Sequence, residues 1–140
     1  MIYATKADML KRYEEKQLIQ LTDNVEPYTD QIVDSILDGA LNDASATIDL
    51  YLGGRYDLPL SQTPTALIDM ACRLAFYRLN RDRTSEEMRL DYTDVIKTLE
   101  QISQGKIRLD VGGEEPKSAA AIAKVDGPNR TFDRDSMKGF

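Results

Sequence analysis

From Ile32 to Leu52 the apolar residues Ile32, Val33, Ile36, Leu37, Ala40, Leu41, Ala44, Ile48, Tyr51 and Leu52 recur at steps of one, three and four. A strand cannot use that spacing, because its side chains alternate with a period of two. The segment therefore predicts an amphipathic helix of about six turns, starting at Thr29 or Asp30 and closed at Gly53 by a left-handed residue. Gly39 falls inside it and weakens it by roughly 1 kcal/mol relative to Ala.

Other helices frame this one. Thr5 with Asp8 reads as a short capping box opening a helix from about Lys6 to Tyr13, and Leu18, Ile19 and Leu21 suggest a second short helix ending near Thr22. Past the connection GGRYDLPLSQTP, Thr63 and Pro64 suit the start of a helix through Leu67, Ile68, Ala71, Cys72, Ala75, Phe76 and Leu79, ending between Asn80 and Arg83. Thr84 caps a further helix running to Ser103 and Gly105, with Glu86 and Glu87 near its positive end. Lys106–Val111 alternates like a strand and needs a partner from elsewhere. The expected fold is all-α: a small bundle of three main helices with short N-terminal helices, a strand-like segment and an extended C-terminal arm. Residues 1–105 form the helical domain and 106–140 the strand-like segment and arm.

Composition narrows the chemistry. The chain has no histidine, one cysteine and a net charge of −6. Without histidine the commonest general base and metal ligand are both missing. Cys72, in MACRLAFY, reads as a buried apolar residue, and a lone cysteine fits a reducing compartment. No phosphate-binding glycine pattern and no activated nucleophile is present, so no enzymatic activity and no cofactor are expected. Met1 runs into polar sequence and no apolar run approaches the roughly 20 residues of a membrane span. A soluble protein made in a cytoplasm, with no signal peptide and no membrane partner, is expected.

Charge is unevenly placed. Residues 1–105 hold 11 basic and 18 acidic residues, and 106–140 hold 7 and 6. Asp30, Asp34, Asp38 and Asp49 fall on one face of the long helix, and no Lys or Arg occurs from Gln17 to Gly54. That face reads as solvated, as lining a conduit for DNA without binding it, or as docking a basic partner or a neighbouring subunit; metal chelation is poorly specified. Arg73, Arg78, Arg81 and Arg83 cluster near one helix end. There they complement the dipole, or pair with acidic faces of other copies through a fork that bonds a carboxylate twice. Nucleic-acid binding is disfavoured by the acidic body.

The chain closes on RTFDRDSMKGF. Arg130, Phe132, Asp133, Arg134, Met137 and Phe140 read either as a frayed end or as a docking peptide, with apolar anchors and charges that set register. The stretch before it, Gly112 to Asn129, reads as a linker.

Several segments carry a resemblance: MIYATKADMLKRY, LIQLTD, LNDASATIDLYLGGRYDLPL, ACRLAFYRL, the pattern from Tyr92 through GKI to Leu109, and the closing RDSMKGF. In them, from Tyr3 to Phe140, the chain resembles the phage Mu-type head–tail joining family. The resemblance implies a non-enzymatic virion protein at the head–tail interface. It would be a helical adaptor forming a ring of twelve copies between the portal and a tail-proximal protein, with DNA passing through its centre. It implies that the arm engages the portal or neighbouring subunits, and marks Gly53, Gly54, Arg55, Tyr56 and Pro59 as a signature loop. The alternatives are another head-completion or tail-proximal ring protein, or a small phage-encoded nucleic-acid-binding or regulatory protein.

Overall fold

The computed structural model describes residues 1–111, which contain five α-helices and one 3-10 turn. They are α1 (Lys6–Arg12), α2 (Glu15–Thr22), α3 (Asp34–Leu52), α4 (Thr65–Asn80), a 3-10 turn Arg81–Arg83, and α5 (Glu86–Ser103). The helices α3, α4 and α5 pack on one another, and α1 and α2 lie across α3 and α4. The all-α expectation holds.

The core is the predicted stripe. Leu37, Leu41, Ala44, Ile48 and Leu52 of α3 meet Leu67, Ala71, Leu74 and Ala75 of α4 and Val95, Leu99 and Ile102 of α5, all buried. Each large aliphatic side chain so buried contributes about 1.5–3 kcal/mol. Cys72 sits fully inside, as its neighbours indicated, and burial pushes its thiol up to about 11.

The ends of the helices depart from expectation at four places. The helix α3 starts at Asp34 rather than Thr29, because the Asp23 carboxylate accepts the amides of Thr29 (3.0 Å) and Asp30 (2.8 Å). Asp30 is held there at φ 57, outside the helix. Thr63 does not cap α4; Pro64 takes that position. Ser85, not Thr84, caps α5, its hydroxyl accepting the Met88 amide at 3.1 Å.

The fourth concerns glycine. Gly53 closes α3 in right-handed conformation, at φ −60. The left-handed residue is Gly105, at φ 83 after α5. There Gly105 N–H donates to Ile102 O (3.1 Å) and Lys106 N–H to Gln101 O (2.9 Å), the pair of bonds that defines a Schellman closure.

The strand-like alternation of Lys106–Val111 is real, but it pairs with no strand among the described residues. The segment lies extended on the bundle, with Leu109 and Val111 buried and Arg108 and Asp110 exposed. Its period-two pattern faces the body on one side and solvent on the other.

Candidate functional site

The signature loop Gly53–Leu60 is the most constrained feature outside the core. Turn bonds from Arg55 N–H and Tyr56 N–H to Leu52 O, both 2.9 Å, fold it under α3. Tyr56 is buried, and its hydroxyl accepts the Leu109 amide at 3.0 Å. Just after the loop, Ser61 donates to Val111 O at 2.9 Å. The amide of Leu60 reaches the Met1 sulfur at 3.2 Å. The loop thus fastens Leu109–Val111, the last of the described residues, to the bundle.

Arg55 sits at the centre of this joint. It is 8% exposed, and its Nε and Nη1 have no hydrogen-bond partner among the described residues. An arginine cannot shed its proton to escape such a site. Its position supplies the compensation: it lies just past the C-terminus of α3 and against Gly105, just past the C-terminus of α5. Each of those ends carries about half a negative charge. A Cβ on Gly105 would stand 2.7 Å from Arg55 Nη1 and 2.8 Å from Cζ. Gly105 is therefore required twice, by its backbone angle and by the guanidinium lying over it.

The acidic set loses one member and is not uniformly exposed. Asp30 is outside α3, its amide tied to Asp23. Asp34 pairs with Lys6 at 2.8 Å, with both side chains largely in solvent. Asp38 is exposed. Asp49 is partly buried and holds the N-terminal ammonium (3.1 Å) and the Tyr3 hydroxyl (2.6 Å). Burial and then the Asp49 carboxylate raise the Tyr3 phenol above its usual range. The turn before α3 takes Asp30 off the helix, whereas Asp34, Asp38 and Asp49 keep to one side of α3, with Asp49 partly covered by the N-terminus.

The arginines also separate. Arg73 grips Asp91 through Nε and Nη2 and reaches Asp69 through Nη1 at 3.2 Å. Arg12 adds a longer contact to Asp69, 3.5 Å. That group ties α1, α4 and α5 within one chain. Arg78 stands 3.8 Å from Asp43. Arg81 and Arg83 make no ion pair among the described residues. Arg130, Phe132, Asp133, Arg134, Met137 and Phe140 lie outside the described residues.

A groove of about 680 Å³ opens at the opposite end of the bundle from the joint. It runs between the end of α2, the first half of α3 and the last turn of α4, with Tyr92 of α5 also on its wall. Tyr92 stacks on Tyr77 with ring centres 4.3 Å apart. Sequence reasoning passed over this groove and over Gly105. The signals were present in the exposed Val25 and Ile36 and in the GKI step after α5, but only tertiary packing shows what they face. Among the described residues no group of acidic or thiol side chains could hold a metal ion, and no helix is long and apolar enough to cross a membrane.

A model of the family described as "Bacteriophage Mu, Gp36" matches residues 3–126. The chain is 35% identical over 141 residues to the "Mu-like prophage FluMu protein gp36" of Haemophilus influenzae, covering 100% of this chain and 99% of that protein. It is 36% identical over 146 residues to "Gene product J" of Escherichia phage Mu, again covering 100% and 99%.

Proposed function

Since this chain belongs to the bacteriophage Mu Gp36 family, we propose that it is a structural protein of the phage particle, a head–tail connector. In this reading copies assemble as a ring of twelve beneath the portal and above a tail-proximal protein. DNA passes through without specific binding, and the role needs neither catalysis nor a cofactor. The observation that carries the reading is the joint at Arg55, Tyr56 and Gly105. The joint holds Leu109–Val111, the residues just before the closing 29, firmly against the bundle, which suits a subunit that holds its neighbours through an arm. Asp34 and Asp38, exposed early in α3, are what remains of the acidic set to face DNA.

Phage produced without this protein should accumulate filled heads and separate tails by electron microscopy, and supplying the chain should join them. Normal infectious particles in its absence would overturn the connector reading. The competing reading, a small nucleic-acid-binding protein, predicts tight, salt-sensitive binding to duplex DNA in a gel shift. The excess of acid over base in residues 1–105 opposes it.

A further inference from the structure

We infer that the groove between α2, α3 and α4 receives the closing segment Arg130–Phe140 of a second copy of the chain. The choice of a second copy rests on the connector reading; the groove itself does not.

Gly39 is the first ground. A glycine inside a helix weakens it by roughly 1 kcal/mol relative to Ala. Among the described residues nothing uses the missing side chain: none of their atoms lies within 4 Å of where its Cβ would be, and its backbone is helical. The open space above it is the groove floor. A bare stretch of backbone is what another backbone needs for close approach.

The walls are the second ground. Val25 is 70% and Ile36 38% exposed, and Leu79 and the Tyr77–Tyr92 stack face them. The volume, about 680 Å³, lies within the roughly 300–1,000 Å³ of sites that bury a few large apolar groups. Arg81, which makes no ion pair among the described residues, and the loosely paired Asp43 and Arg78 add both signs of charge. The closing segment offers the complement: Phe132, Met137 and Phe140 as anchors, with Asp133, Arg134, Asp135 and Lys138 between them.

Reach and direction are the third. The described chain ends at Val111, held against Ser61 at the far end of the bundle from the groove. The 18 residues 112–129 can span up to about 60 Å when extended, whereas α3, with 19 residues, is about 28 Å long. The segment can therefore reach past its own body. With exit and groove at opposite ends, joining is head-to-tail, the type of contact that closes into rings.

Full-length variants test this by exchange. Gly39→Leu fills the groove and keeps the arm; Phe132→Ala with Phe140→Ala keeps the groove and removes the anchors. Circular dichroism and thermal melting confirm that each is folded, and Val25→Glu, at an exposed wall residue, repeats the block without disturbing helix packing. By analytical ultracentrifugation at tens of micromolar the wild type should run as oligomers larger than dimers, and each variant singly as monomers. An equimolar mixture of Gly39→Leu with the double-alanine chain should give one-to-one dimers and nothing larger. Wild-type oligomers from both groove variants would overturn the proposal. A mixture that stays monomeric would do so as well, since it would assign the groove to the chain's own arm. So would a monomeric wild type. None of these results touches the connector reading, which is decided separately by head–tail joining in particles.

Discussion

Replacing Gly105 with Ala tests the joint most directly. At φ 83 an L side chain costs about 1–2 kcal/mol of backbone strain. The new methyl would stand 2.7 Å from Arg55 Nη1, about 0.8 Å inside the ~3.5 Å at which such atoms normally rest. The guanidinium ends a flexible side chain, so the overlap is relieved by moving it; but it leaves a fitted, buried position, at a cost of about 1 kcal/mol. The sum is about 2–3 kcal/mol. With a urea slope near the middle of the usual ~1–3 kcal/mol per molar, the unfolding midpoint should fall by roughly 1–1.5 M. In an Arg55→Ala background the overlap is gone and only the backbone part remains, so the cycle should show a coupling of about 1 kcal/mol. A loss below about 0.5 kcal/mol in the Gly105→Ala chain would refute the left-handed Schellman closure. An equal loss in both backgrounds would refute the packing of Arg55 on Gly105.

Removing one hydroxyl by Tyr56→Phe leaves the Leu109 amide without its acceptor; stability should drop by about 1–2 kcal/mol, and hydrogen exchange at Leu109 should accelerate more than at core amides of α4. Stability should also fall on the alkaline side. The Cys72 thiol is raised to about 11, so its contribution is complete below the ordinary thiol range near 9 and declines as pH climbs from there towards 11, by about 2–3 kcal/mol. Tyr13, pushed up to about 12 by burial first, extends the decline above pH 10. Urea titrations at stepped pH should show both limbs, and Cys72→Ala should abolish the first; an unchanged curve in that variant would refute the assignment.

How far the sequence could be read depended on the range of the interaction. The stripe from Leu37 to Leu52, the capping box of Thr5 and Asp8 and the burial of Cys72 are local or periodic, and all were legible. Asp30 was misplaced because a single carboxylate, Asp23, captures two amides six and seven residues on, which no periodicity reports. Gly53 and Gly105 both follow helices in the sequence; only the packing of Arg55 shows that the second, not the first, carries the left-handed closure. Lys106–Val111 alternates as a strand does, yet its counterpart is the side of a bundle. Of the site residues, Arg55 and Tyr56 stood out in the sequence as part of a marked loop, whereas their partners Gly105 and Leu109 lie some fifty residues away.

Arg55 is the first cation after Lys16, and it stands where two parallel helices, α3 and α5, finish side by side. Ion pairs in solvent, such as Lys6 with Asp34, fade as ionic strength rises, because the Debye length shrinks from about 10 Å at 0.1 M to about 3 Å at 1 M. A guanidinium enclosed between helix ends has almost no counterions to exchange with. The joint beneath α3 and α5 therefore has a grip largely indifferent to salt, while the charged exterior of the same subunit responds to it.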